Sequence, residues 1–196
     1  MRFAAVVLAA GPSSRMGGRQ KLVEEVGGRS VVRRVAEAAL DSRCRPVVVV
    51  LGNMAERVRA ELPGGVEAVV NPDWRSGMSS SIRRGVEAVA GRAGGAVICP
   101  GDMPFIRPET LDRLVEACGE GIAYCTVTGE VRSPAAFSSA FFGELMALEG
   151  DRGAKEVVLR HLDLARPVRV DPVELLDVDS PEGLELARSL AARLNL

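Results

Sequence analysis

Five short apolar runs, each followed by a stretch of helical periodicity, constrain this chain more than any other feature. The runs are residues 3–9, 46–51, 66–70, 95–99 and 122–126. Each is rich in Val, Ile or Ala and largely apolar at consecutive positions, so each predicts a strand buried on both faces. Strands of that kind belong to a parallel sheet, which needs crossover helices packed on its faces. Helical patterns cover residues 30–40, 55–62, 79–90, 109–118, 138–148, 153–160 and 181–194. Several begin with clear signals: Ser30 precedes the stripe of Val31, Val35, Ala39 and Leu40, and Pro108-Glu109 and Ser180-Pro181-Glu182 place proline at a first helical position. The fold expected is α/β, a three-layer α/β/α domain of Rossmann-like character with a mostly parallel central sheet.

The 196 residues suit one domain with a closed hydrophobic interior. No linker or internal repeat divides them, so residues 1–196 are read as a single unit. A net charge of −1 excludes a general nucleic-acid binder, which carries a basic excess. The apolar start at Met1–Ala10 is too short for a membrane span and runs into Gly11-Pro12 without a cleavage context. Cys44, Cys99, Cys118 and Cys125 show neither CxxC spacing nor a histidine partner, and read as reduced thiols of a cytoplasmic protein. Of the 25 basic residues only Lys21 and Lys155 are lysine, and both lie beside glycine-rich motifs. A lysine retained in so arginine-rich a chain is a candidate for a specific role.

The Gly- and Ser-rich patches fall between strands and helices, where open α/β sheets bind ligands. The first, LAAGPSSRMGGRQK at residues 8–21, leaves the first strand. It matches neither GxGxxG nor GxxxxGK[ST], yet its glycines expose N–H donors to phosphate oxygens, and Arg15 and Lys21 add charge from an exposed loop. Asp102 follows the fourth apolar run at the carboxyl end of its strand, a place for a Mg²⁺ carboxylate or simply for a turn before Met103-Pro104. Asp179 is a second candidate ligand, with Asp177 as its alternative; either also suits the start of the last helix. Ser79, Ser80 and Ser81 cap the helix they open or reach a base or phosphate. Trp74, the lone tryptophan, either covers a ligand ring or packs, and His161, the lone histidine, reads as structural.

The run at residues 8–21 resembles the signature LAAG-x-S-x-RMG-x-x-x-K of the molybdenum cofactor nucleotidyltransferases. NPDWRSGMSSS at 71–81, GDMP at 101–104, GDRGA at 150–154 and DVDSPE at 177–182 resemble four further motifs, in family order. LAAG rather than LAGG, together with GDMP, is similar to the cytidylyltransferase branch. The resemblance implies a Mg²⁺-dependent enzyme with CTP and a molybdopterin-type acceptor as substrates and a molybdenum hydroxylase apoenzyme as a further partner. It implies catalytic roles for Arg15, Lys21 and Asp102, and a metal on Asp102 and Asp179. Nucleotide contacts fall on Leu8, Ala9, Ala10, Gly11, Ser13, Ser14, Asn71, Gly77, Ser80 and Ser81, with the methyl of Ala10 narrowing the base pocket. Arg132, Pro134 and Arg152 are the acceptor contacts, although Ser133 stands where the family carries glycine or histidine. Residues 1–105 would form the nucleotide half and 106–196 the acceptor half. Another phosphorylated acceptor, such as a sugar phosphate or phospholactate, guanylyl transfer, and a non-catalytic cofactor-delivery protein remain as alternatives.

Overall fold

The computed structural model describes residues 1–196. In chain order its elements are β1 (Phe3–Ala9), β2 (Glu25–Val26), β3 (Arg29–Ser30), α1 (Val31–Asp41), β4 (Val47–Leu51), α2 (Ala55–Ala60), β5 (Glu67–Val70) and α3 (Met78–Val89). There follow β6 (Gly95–Pro100), α4 (Pro108–Cys118), β7 (Ile122–Thr126), β8 (Arg132–Ser138), α5 (Phe142–Met146), α6 (Lys155–Arg160), β9 (Ala165–Arg169) and α7 (Pro181–Arg193). Seven strands form one sheet in the order β5-β4-β1-β6-β8-β7-β9, and β2 and β3 make a separate small hairpin. Within the large sheet β8 runs antiparallel to both its neighbours, while the other pairings are parallel. The three-layer, mostly parallel α/β expectation is met.

The consecutive apolarity of the inner strands has a direct cause, which the edge strand β5, with Glu67 and Val70 exposed, does not share. Along β1, Phe3, Ala5, Val7 and Ala9 enter one core cluster while Ala4 and Val6 enter the other. Val47, Val49 and Leu51 of β4 likewise part from Val48 and Val50. The first cluster packs under α1, α4 and α7, and the second under α3, α5 and α6. Period-2 alternation therefore sorts side chains between two apolar cores rather than between core and water.

Four strands lie outside the five expected, the β2–β3 hairpin and, in the large sheet, β8 and β9. In β8, Pro134 reads as a breaker, but it falls where the β7 register shifts between Tyr124 and Cys125, so its missing N–H interrupts no regular ladder. Ser138, expected to open a helix, instead ends β8, and only a short turn at Ser139–Phe141 and α5 follow. β9 carries Arg166, Pro167 and Arg169 because it is a sheet edge, where such residues guard against further pairing.

The chain runs outward from β1 through β4 to β5 and then returns to β6 on the other flank of β1. This reversal leaves a crevice at the carboxyl ends of β1 and β6, where doubly wound sheets hold ligands.

Candidate active site

A cleft of about 830 Å³ opens at that crevice. The loop after β1 forms one wall and is held from inside. Met16 is buried, and the buried Ser13 hydroxyl donates to Gln20 Oε1 while accepting the backbone N–H of Lys21 at 3.1 Å. Gln20 in turn donates to the carbonyl of Asn53 at 3.2 Å. These anchors fix Lys21 at the floor of the cleft. Arg15, by contrast, extends from the exposed part of the loop, its side chain 74% accessible against 13% for Lys21. The expectation that both cations are loosely exposed is thus corrected for Lys21.

Lys21 Nζ donates to Asp102 Oδ2 at 2.6 Å and to Asp179 Oδ1, so it bridges carboxylates from two distant segments. Arg15 reaches Asp179 from the other side at 3.5 Å. Burial works against the charge of Lys21, but Asp102 and Asp179 outweigh it and raise the pKa of the ammonium. Burial also pushes Asp179 up, yet its hydrogen bonds with Lys21 and Asp177 and the charges of Lys21 and Arg15 bring it below the ordinary range. Asp177 moves the opposite way, raised by burial and then by its hydrogen bond and repulsion with Asp179. Of these two acids, Asp179 is therefore the more readily ionised.

The backbone brings the segments together. Gly101 N–H donates to Leu8 O at 2.9 Å, and Val178 N–H donates to Asp102 O at 2.9 Å. Glu174 adds a tether that the sequence does not advertise: its buried carboxylate accepts from Arg107 N–H at 3.2 Å and from the Thr110 hydroxyl at 2.6 Å. It thereby caps α4, whose own N-cap Arg107 offers no side-chain cap, and fixes the turn that leads to Asp177 and Asp179.

The donor set fits a hard divalent cation. Asp102 Oδ1 is buried without a hydrogen-bond partner, and Asp179 and Asp177 add oxygens nearby. No group of three or more His, Cys, Asp or Glu side chains is placed to cage a metal alone. That pattern suits Mg²⁺ or Mn²⁺ bound by one or two carboxylates with substrate phosphates and water completing the shell.

A second wall carries the 71–81 motif. Gly77 has φ +108° and lies so close to the Gly150 backbone that no Cβ fits, while Ser79 N–H donates to Gly150 O at 3.1 Å. The serines do not cap α3 through their side chains, since the helix begins at Met78 and its N-cap is Gly77. Ser80 Oγ instead donates toward the carbonyls of Gly77 and Asp73, and the Asn71 amide donates to Ser80 Oγ at 2.8 Å and Ser81 Oγ at 3.0 Å. Asn71 and Ser80 thus brace the turn from beneath, and Ser81 reaches the cleft.

Of the residues expected at the nucleotide site, Leu8, Ala10, Gly11, Gly77 and Ser81 line the cleft with Lys21, Asp102 and Asp179; Ala9, Ser13, Ser14, Asn71 and Ser80 do not. The Ala10 methyl fits over Gly52, where a Cβ would come within 2.7 Å of both it and Trp74 Cβ. Its packing there, rather than projection into open space, sets its effect on the cleft. Of the residues expected to meet an acceptor, Arg132 lines the cleft, whereas Pro134 and Arg152 do not; Arg75, Ser133, Asp151 and Lys155 also line it. Trp74 also lines it, with the Arg75 guanidinium stacked 4.4 Å from its ring centroid. His161 pairs with Glu144 at 2.7 Å outside the cleft. All four cysteines are buried and unpaired, and no helix is long and apolar enough to cross a membrane.

Among curated proteins, the bifunctional protein GlmU of an Anaeromyxobacter species is 33% identical over 169 residues, 79% of this chain and 35% of its own length. The chain therefore spans about a third of that relative. Among solved structures, Rv0371c of Mycobacterium tuberculosis superposes with a TM-score of 0.87 at 31% identity, over 96% of this chain and 98% of its own. The same protein has also been solved as a complex with manganese, with a TM-score of 0.83 at 29% identity over 96% and 99% of the two chains. Molybdopterin-guanine dinucleotide biosynthesis protein A of Archaeoglobus fulgidus shares the fold, with a TM-score of 0.72 at 19% identity over 97% and 99%. The MobA-like NTP transferase domain matches residues 5–166, a stretch that begins in β1 and takes in both the Lys21 loop and Asp102, and the chain accordingly belongs to that family of nucleotidyltransferases.

Proposed function

We propose that this nucleotidyltransferase moves CMP from CTP onto the phosphate of a molybdopterin-type molybdenum cofactor, with Mg²⁺, and releases pyrophosphate. The observation that carries the reading is the convergence of Lys21, Arg15, Asp102 and Asp179 at the β1–β6 crevice. An acceptor phosphate oxygen forms a bond to the α-phosphorus while the bond to the α–β bridging oxygen breaks, and its electron pair leaves with pyrophosphate. No protein nucleophile is required. Lys21 and Arg15 neutralise charge that builds on the leaving phosphates, and the braced loop keeps them in place so that little reorganisation accompanies transfer. Mg²⁺ held by Asp102 and Asp179 would supply Lewis-acid stabilisation to the same oxygens.

The base preference rests on the space beside Ala10 and Ser81. Ala10 is held against Gly52 and Trp74 in the wall that also carries Ser81, and a base read there would favour the smaller pyrimidine. Resemblance of LAAG and GDMP to the cytidylyl branch supports the same choice. Residues 1–105 supply most of the nucleotide wall and 106–196 most of the acceptor wall, with Asp179 and Arg75 crossing that division. The buried, reduced thiols suit the cytoplasm, and delivery to a molybdenum hydroxylase apoenzyme would follow transfer.

The test is pyrophosphate release with each nucleoside triphosphate, Mg²⁺ and molybdenum cofactor. We expect kcat/KM for CTP to exceed that for GTP by at least ~10-fold, the discrimination available when buried polar groups are left unpaired by the wrong base. Equal values or a GTP preference overturn the cytidylyl assignment. Release with a sugar phosphate or phospholactate, and none with molybdopterin, transfers the reading to another acceptor. No release with any pair of substrates overturns catalysis itself.

A further inference from the structure

Lys155 is one of only two lysines in the chain, and the chemistry assigned so far uses only the other. It opens α6 on the Gly150–Lys155 turn, which is fastened to the start of α3 by the Ser79–Gly150 hydrogen bond. That attachment puts Lys155 in the same cleft as Arg75, while Arg132 enters it from the start of β8. The cations at the phosphate loop are already matched to carboxylates, Lys21 to Asp102 and Asp179, and Arg15 to Asp179. Arg75, Arg132 and Lys155 have no carboxylate within 4.0 Å, and Arg75 rests on Trp74 instead. Of the four carboxylates that line the cleft, Asp102 and Asp179 answer Lys21, while Asp151 pairs with no cation. The cleft is lined by four cations and four carboxylates, so these three are set apart by their lack of an ion pair and not by an excess of charge.

We propose that Lys155, Arg132 and Arg75 form a second anion seat, separate from the Lys21 loop, that receives the phosphate monoester of the acceptor. The inference rests on the reading of the chain as a transferase to a phosphorylated acceptor. Two guanidinium forks and one ammonium suit a dianionic phosphate, whose oxygens accept charge-assisted hydrogen bonds. They would bind the attacking phosphate without matching the triphosphate, which already has Lys21, Arg15 and a metal to meet it. An acceptor lacking a phosphate would leave these cations unanswered, so the seat selects the acceptor by its charge. Lys155 and Arg75 thereby replace Arg152, which lies outside the cleft.

Trp74, the only tryptophan, lines the cleft beside Arg75 and reports occupancy by its fluorescence. The experiment titrates the full chain with inorganic phosphate, with pyrophosphate and with CTP, in wild type and in Lys155→Gln, Arg132→Gln and Lys155→Arg. We expect saturable phosphate binding that weakens at least ~10-fold in each Gln variant, the loss of one charge-assisted hydrogen bond. Lys155→Arg should retain it, and the CTP and pyrophosphate dissociation constants should stay within about twofold of wild type, since those ligands keep their own clamp. Equal weakening of CTP, pyrophosphate and phosphate overturns the proposal, because the cations would then serve the triphosphate. Phosphate binding that is absent, or unaffected by the Gln variants, also overturns it. None of these outcomes depends on which base or which phosphorylated acceptor is used, so failure of the cytidylyl assignment would be seen separately.

Discussion

Replacing Asp102 by asparagine separates what this residue does for the fold from what it does for the reaction. One carboxylate oxygen accepts from Lys21 at 2.6 Å; the other is buried with no partner. Losing a charge-assisted hydrogen bond costs about 1.5–3 kcal/mol when it stands alone. Here Asp179 still holds Lys21, and Asp102 is 20% exposed, so solvent screening reduces that loss. Against it stands the relief of an unpartnered anionic oxygen, a burden of about 1–3 kcal/mol in a buried site. The two effects offset to within about 1 kcal/mol, which corresponds to a melting shift of about 2–4 °C for a chain of this size. Activity has no such compensation, because a neutral amide neither binds the metal with full charge nor balances Lys21. Turnover should fall at least ~100-fold, the scale of losing one preorganised transition-state stabiliser. The assay is pyrophosphate release at saturating Mg²⁺ beside a thermal melt of the same preparation. Turnover within about threefold of wild type would refute the metal assignment. A melting point lowered by more than about 10 °C would refute the energetic argument, and Asp102 would then count as scaffold.

Two further outcomes follow from the burial contrast between Arg15 and Lys21 and from the thiols. Arg15→Ala should leave stability within about 0.5 kcal/mol, whereas Lys21→Ala, which leaves two facing carboxylates without their shared cation, should destabilise by about 1–3 kcal/mol. Both should weaken triphosphate binding or turnover, and unchanged pyrophosphate-release profiles at limiting and saturating nucleotide would remove the phosphate clamp. Burial pushes the thiols of Cys118 and Cys125 up to about 12. Unfolded thiols ionise near pH ~8.5, so between there and the folded value the native state holds protons that the unfolded chain has lost. Stability is complete below that window and falls as pH rises through it, by up to about 1.4 kcal/mol per pH unit for each thiol. Urea midpoints from pH 8.5 to 10.5 should therefore drop more steeply in wild type than in a Cys118→Ala/Cys125→Ala double variant, and parallel slopes would contradict the burial argument.

The parts of the fold legible in the sequence are those where a local pattern and its environment agree. β1 and β4 are apolar at every position, and β7 at all but Thr126, because each apolar side chain meets one of two cores, and the same condition writes the pattern and the structure. β8 and β9 fail that condition. Pro134 is tolerated only because the β7 register shifts beside it, and Arg166, Pro167 and Arg169 are tolerated because nothing pairs beyond β9. Both facts belong to a strand's neighbours, which a single run of residues does not name. Ser30 and Ser79–Ser81 show the same limit on a smaller scale. Each stands where a serine commonly caps a helix, yet Ser30 Oγ is buried without a partner and the other serines lie inside the first turn of α3.

In the cleft the division is chemical. Lys21, Asp102 and Asp179 stand out in the sequence because each sits in a loop with unusual composition at a strand or helix boundary. Their spacing of 81 and 158 residues says nothing of the bridge that Lys21 makes between the carboxylates. Glu174 is silent for the opposite reason. In sequence it is one of many acids beside a proline, and its role arises only because Arg107 and Thr110, 67 and 64 residues away, point donors into the same buried space. A carboxylate in that position must find donors or lose its burial. By taking them from the start of α4, it fixes the turn before Asp177 and Asp179 to the segment that follows Asp102, so the spacing of the candidate metal ligands depends on a residue that touches neither metal nor substrate.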